Sequence, residues 1–179
     1  MIFYCFTGET AFSGIDKLLG SYVVTDFRKN VRLSFLFLII MNIQISKEKV
    51  IDGVHRQTAL LALKNENGEI IVYSEDDEER VVPLWLAALD ELLQLLLPYA
   101  RMSATDNEAD FLLSLPANWD DAQEESLQQL ALNYVTTTLT ARWLDNVKPD
   151  SAMLLRSLNS STGNAINELL FARKKPTRV

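Results

Sequence analysis

The chain contains a single cysteine, Cys5, and a single histidine, His55. One thiol can form no intrachain disulfide and cannot assemble a Cys-rich metal site, which points to a reducing compartment such as the cytoplasm. One imidazole leaves a Ser-His-Asp arrangement nothing but His55 to use, and no nucleophile motif flanks that residue. The sequence has no Gly-rich phosphate loop, no His-Glu-x-x-His and no Cys-x-x-Cys. Six Gly and five Pro are too few for a fibrous or low-complexity chain. Basic residues are also short: 17 Lys and Arg stand against 24 Asp and Glu, a net charge of -7. That balance excludes a large nucleic-acid footprint, which needs clustered positive charge. The apolar run Leu33–Met41, behind Arg28, Lys29 and Arg32, is far short of the roughly 20 residues of a spanning helix. It lies too far along the chain for a signal peptide, and no small-x-small cleavage site follows. Neither a cofactor nor a membrane partner is expected, and the chain is read as a non-enzyme.

What is there suits one filled core. With 48% hydrophobic and 23% charged residues, 179 residues make one globular domain and are too few for two ordinary ones. The first forty residues differ from the rest: four basic residues against three acidic ones give them a net +1 and leave -8 for residues 41–179. Two readings of Leu33–Met41 stand. It is a buried strand, as a short Phe- and Ile-rich apolar run suggests, or residues 1–40 are a poorly defined extension ahead of a true start at Met41. The second is preferred, which makes residues 41–179 a single helical domain.

That domain reads as mainly α: four helices with one or two short strands. Ser46 can cap a first helix running to about Lys64, with Val50, Val54 and Leu61 along one face and Gly53 marking a close packing contact. Ile70–Tyr73 is a short strand candidate. Ser74 followed by Glu75, Asp76, Asp77, Glu78 and Glu79 is a strong helix start, with negative charge to complement the macrodipole. A second helix then runs over 75–97. Its polar positions, among them Pro83, Asp90, Glu91 and Gln94, fall on one narrow stripe and the rest is apolar, so part of its surface is available to another subunit. Trp85, Leu89, Leu92 and Leu96 are the candidate interface residues, Trp being a residue type that anchors interfaces.

Residues 109–115 alternate as a strand with Phe111, Leu113 and Leu115 on one face, ended by Pro116. Asn118 caps a third, central helix to about Asp145, with apolar positions in two adjoining stripes. A fourth helical segment follows Pro149, carrying Leu154, Leu155 and Leu158 and then Ile166, Leu169 and Leu170. The polar stretch from Asn159 to Asn164 between those groups predicts a break or kink. The acidic groups Glu75–Glu79 and Asp120, Asp121, Glu124 and Glu125 read as helix first turns. The basic end, Arg173, Lys174, Lys175 and Arg178, is read as complementing a helix C-terminus, and it is the one place where nucleic acid or an acidic partner could be met.

The order of Ile45–Val50 opening a helix, Ser74–Glu79 opening an apolar helix, and a strand ending Leu115-Pro-Ala-Asn-Trp119 before a long helix that reaches Arg142 resembles small prophage-encoded tail and head-tail joining proteins. In outline it is similar to the helical head-tail connector, or adaptor, proteins of tailed phages. The resemblance spans about residues 43–175 and implies a virion structural protein with no catalytic residues, assembling with itself or with other phage structural proteins. Two other expectations remain beside it: a monomeric cytoplasmic adaptor or regulatory helical module holding one partner, and an enzyme using Asp120–Glu125 with a metal.

Overall fold

The computed structural model describes residues 38–61, 64, 68, 70, 73, 78–145 and 147–174. Among the described residues the helices and strands follow in chain order: β1 (Leu38–Ser46), α1 (Lys47–Leu61), α2 (Glu78–Leu96), β2 (Ala100–Ala104), β3 (Glu108–Pro116), α3 (Glu124–Leu144) and α4 (Pro149–Leu170). The domain is mostly α with a minor antiparallel sheet.

The sheet has the order β1-β3-β2. Along β1, Met41, Ile43 and Ile45 point inward and Asn42 and Gln44 outward; on β3 Ala109, Phe111, Leu113 and Leu115 are buried. This is the period-two alternation of a sheet covered on one face. Pairing sets Met41 opposite Leu113 and Ile43 opposite Phe111. β2 and β3 form a hairpin whose turn is held by Thr105: its amide donates to the Glu108 carbonyl at 2.8 Å, and its hydroxyl accepts from the Glu108 amide at 3.1 Å. The Lys47 amide donates to the Asn107 carbonyl at 2.8 Å, tying the start of α1 to that turn.

α3 lies at the centre and packs against α1, α2, α4 and β1. Its buried residues, including Leu127, Ala131, Val135, Leu139, Trp143 and Leu144, occupy more than one face, as a helix touching several neighbours requires. Gly53 of α1 meets it closely, as the sequence predicts: a Cβ there would stand 2.6 Å from Thr136 Cγ2.

β1 begins ahead of Met41, with Leu38, Ile39 and Ile40 paired to Pro116, Leu115 and Ser114; residues 1–37 lie outside the described residues. Three expectations change. Residues 100–104, ahead of the 109–115 strand, form a further strand that carries no clear signal in the sequence. Asn118 does not cap the third helix: Asp120 caps the 3-10 turn Asp121–Gln123 that leads into it, its Oδ1 accepting from the Ala122 amide at 3.3 Å, and α3 itself starts after Gln123 with no side-chain cap. Finally, α4 runs unbroken through Asn159–Asn164. Asn159 is buried and donates to Thr138 Oγ1 at 2.7 Å, Thr162 donates to the Leu158 carbonyl, and the buried Gly163 lies beside Tyr134 and Leu95. Tertiary contacts override the weak helix propensity of these residues. The Ser74 cap and residues 75–77 lie outside the described residues, as does most of the Ile70–Tyr73 strand candidate, of which Ile70 bridges Lys64.

Candidate association surface

The candidate interface residues of α2 are placed elsewhere than expected. Trp85, Leu89, Leu92 and Leu96 are all 0% exposed, filling the chain's own core. With α3 and the sheet both to cover, much of the apolar circumference of α2 is used within the subunit; Leu84, Leu93 and Leu95 are half-buried, and Val82 and Leu86 are exposed.

One group of exposed apolar residues lies on α4. Its inner face is set by Ala152, Leu155, Asn159, Gly163, Ile166 and Leu170, at spacings of three and four residues. That register leaves Met153 71%, Leu154 57% and Leu158 55% exposed. Ser157, Ser160, Ser161 and Asn164 share the solvent side. Between Asp150 and Glu168 the helix carries one charge, Arg156, which pairs with Asp145 of α3's C-cap. A solvent-facing helix is normally rich in charge. The outer face of α4 is instead a stripe of Leu, Met and Ser. The sequence reading had Leu154 and Leu158 as two of the apolar positions of the segment. Spacing from Leu155 and Ile166, not hydrophobicity, is the signal that separates them from the core.

Beside the stripe, α2, α3 and α4 enclose a cleft of about 460 Å³ lined by Glu91, Tyr134, Thr138, Arg142, Arg156 and Asn159 among others. Arg142 forms an ion pair with Glu91, its Nε donating at 3.0 Å. Burial and the neighbouring Glu91 charge push the Tyr134 phenol above its usual pKa range. Both arginines of the cleft are neutralised by carboxylates of the same chain, so the cleft reads as a packing seam between helices.

The basic end of the chain is folded back. Trp119 is buried and its indole Nε1 donates to the Leu169 carbonyl at 2.8 Å. The Asp120 amide donates to the Ala172 carbonyl at 3.3 Å and the Lys174 amide to the Asn118 carbonyl at 2.9 Å. Arg173 donates to the carbonyls of Leu170 and Ala172, completing the end of α4 as its sequence position suggests. Lys174 Nζ reaches Asp121 at 2.9 Å, and this hydrogen bond holds the Asp121 carboxyl below the usual carboxylate range. Lys175 and Arg178 lie outside the described residues. The acidic group at the start of α3 is thus divided: Asp120 caps, Asp121 pairs, and Glu124 and Glu125 are solvated. His55 packs edge-on to Tyr73 at 5.0 Å, and Tyr73 edge-on to Trp143 at 5.7 Å.

Among the described residues no group of three or more His, Cys, Asp or Glu is placed to hold a metal ion, and no helix is long and apolar enough to cross a membrane. The fold and surface therefore define an α-rich domain with a small antiparallel sheet and one uncharged, apolar helix face. Comparison with protein-family models, curated proteins and solved structures gives no match to this chain.

Proposed function

We propose that this chain is a non-enzymatic structural protein of a virion or prophage, of the head-tail connector or tail-associated kind, that works by associating with copies of itself or with neighbouring structural proteins. The observation that carries the association is the outer face of α4, where Met153, Leu154 and Leu158 stand in solvent among serines. Exposed apolar residues gathered on one element and free of charge are what an association surface presents before it is covered. The phage assignment rests on the sequence resemblance, and genes for portal and tail proteins beside the coding sequence would support it.

Light scattering of the full chain over a concentration series tests the association. Mass rising with concentration is expected, as is its loss in a Leu154→Asp, Leu158→Asp double variant whose unfolding temperature matches that of the wild type. Both sites are on the surface, so the substitutions leave the core intact. A wild-type chain that stays monomeric throughout, or a double variant that associates as the wild type does, overturns the reading.

A further inference from the structure

Among the described residues β1 ends the sheet on one side and β2 on the other. An open strand edge accepts a further strand, and folded chains ordinarily blunt it with short length, charge or proline. β2 is blunted in this way, being five residues long and carrying Arg101. β1 is not: it runs nine residues, Leu38–Ser46, with no charged residue and no proline. The ladder fixes which of its backbone groups face outward. In antiparallel pairing the N–H and C=O of one residue turn to one side and those of the next residue to the other. On β3 the Ser114 amide donates to the Tyr99 carbonyl, on the β2 side, at 2.8 Å, so its even-numbered positions turn toward β2 and its odd-numbered ones toward β1. Met41 opposite Leu113 and Ile43 opposite Phe111 are therefore the bonded pairs, and Leu38, Ile40, Asn42 and Gln44 turn their backbone groups to the open side.

At Gln44 that side is already occupied. Gln128 of α3 accepts from the Gln44 amide through Oε1 at 3.3 Å and donates to the Gln44 carbonyl through Nε2. These are the two bonds that a residue of a neighbouring strand would make there. We infer that Gln128 is a built-in strand mimic, which closes the β1 edge at Gln44 and keeps a further β-strand from adding to the sheet. The chemistry suits the task. A primary amide holds both an acceptor and donors, as a peptide group does, whereas a carboxylate or an ammonium satisfies only one of the two Gln44 groups. Its place suits it as well: Leu127, the residue before it on α3, is buried in the core, and Gln128 itself is half-buried at the rim. α1 begins at Lys47, so a strand laid along β1 must displace Gln128 to run past Asn42. The guard works whether or not α4 carries a contact.

Gln128→Ala in the full chain, made in the Leu154→Asp, Leu158→Asp background so that α4 contributes nothing, tests the guard with two readouts. Amide exchange at Gln44 should quicken by about five-fold, the factor that one net hydrogen bond is worth, while exchange at Ile43, bonded to β3, stays as it was. Solution mass should rise with concentration above that of the background chain, with the infrared band of intermolecular β-structure appearing alongside. Gln128→Glu separates a guard from a plain contact. Its carboxylate still accepts from the Gln44 amide and sets a charge on the edge, so this chain should keep the slow exchange and show no rise in mass. Unchanged Gln44 exchange in Gln128→Ala overturns the inference. So does faster exchange without a rise in mass, or a Gln128→Glu chain that assembles as the alanine variant does. Each of these results leaves the α4 association standing, since that contact is absent from every chain compared.

Discussion

At Gly53 a single hydrogen atom sets the distance between two helices. A methyl group there would lie 2.6 Å from Thr136 Cγ2 and 3.1 Å from its Oγ1. Thr136 has little freedom to give way, since it is β-branched, buried, and donates its hydroxyl to the Leu132 carbonyl at 2.9 Å. Gly53→Ala gains about 1 kcal/mol of helix propensity, but overpacking a filled contact costs typically 1–3 kcal/mol. With the clash at the heart of the α1–α3 seam, the net effect expected in urea unfolding is destabilisation. Adding Thr136→Ser removes Cγ2 and should recover most of the loss. A Gly53→Ala chain more stable than the wild type would show that the seam yields easily. The sequence marks this glycine because it interrupts an otherwise regular amphipathic helix. It does not show which residue lies opposite, since Thr136 is more than eighty positions away and has no pattern of its own.

Among the elements, legibility follows periodicity. β3 alternates inward Ala109, Phe111, Leu113 and Leu115 with more exposed positions over its whole length, and it reads directly as a strand. β1 shows the same alternation at Met41, Ile43 and Ile45, but the continuous apolar run before it hides where the pattern begins. β2 offers one fully buried side chain, Ala100, and so gives almost no signal. α4 fails differently. Its middle is made of poor helix formers whose support comes from Thr138, Tyr134 and Leu95 on other helices. The fold-back of the chain end is equally non-local, and its strongest contact is the indole of Trp119. Trp119→Phe keeps an aromatic ring in the core but removes the indole hydrogen bond to the Leu169 carbonyl, which retains the Ala172 amide as donor at 3.1 Å, so the loss is on the order of 1 kcal/mol before any cavity cost. The expected result is a lower unfolding temperature together with faster amide exchange at Asp120 and Lys174, whose hydrogen bonds hold the fold-back. Loss of stability with exchange at those two amides unchanged would mean that Trp119 serves the core alone.

At the scale of the whole molecule, α4 is the element on which stability and association meet. Its inner face rests on α3 and α2 beside Tyr134, while its outer face carries the proposed contact. Burial and Glu91 raise the Tyr134 pKa in the folded chain, so the folded state holds this proton more tightly than the unfolded state does. The sign follows from linkage. The benefit is complete below the unfolded tyrosine value of about 10, and it is lost as the pH rises through the folded value. Unfolding free energy should therefore decline across the alkaline range, and the decline should be shallower in Tyr134→Phe, which has no proton to lose. Urea titrations at intervals from neutral pH to strong alkali would measure both slopes; parallel curves would remove Tyr134 as a cause. Ionisation places a second negative charge near Glu91, under the helix that presents Leu154 and Leu158. If α4 is the contact, the onset of monomer formation in light scattering should shift with the stability curve, and Tyr134→Phe should move the two together.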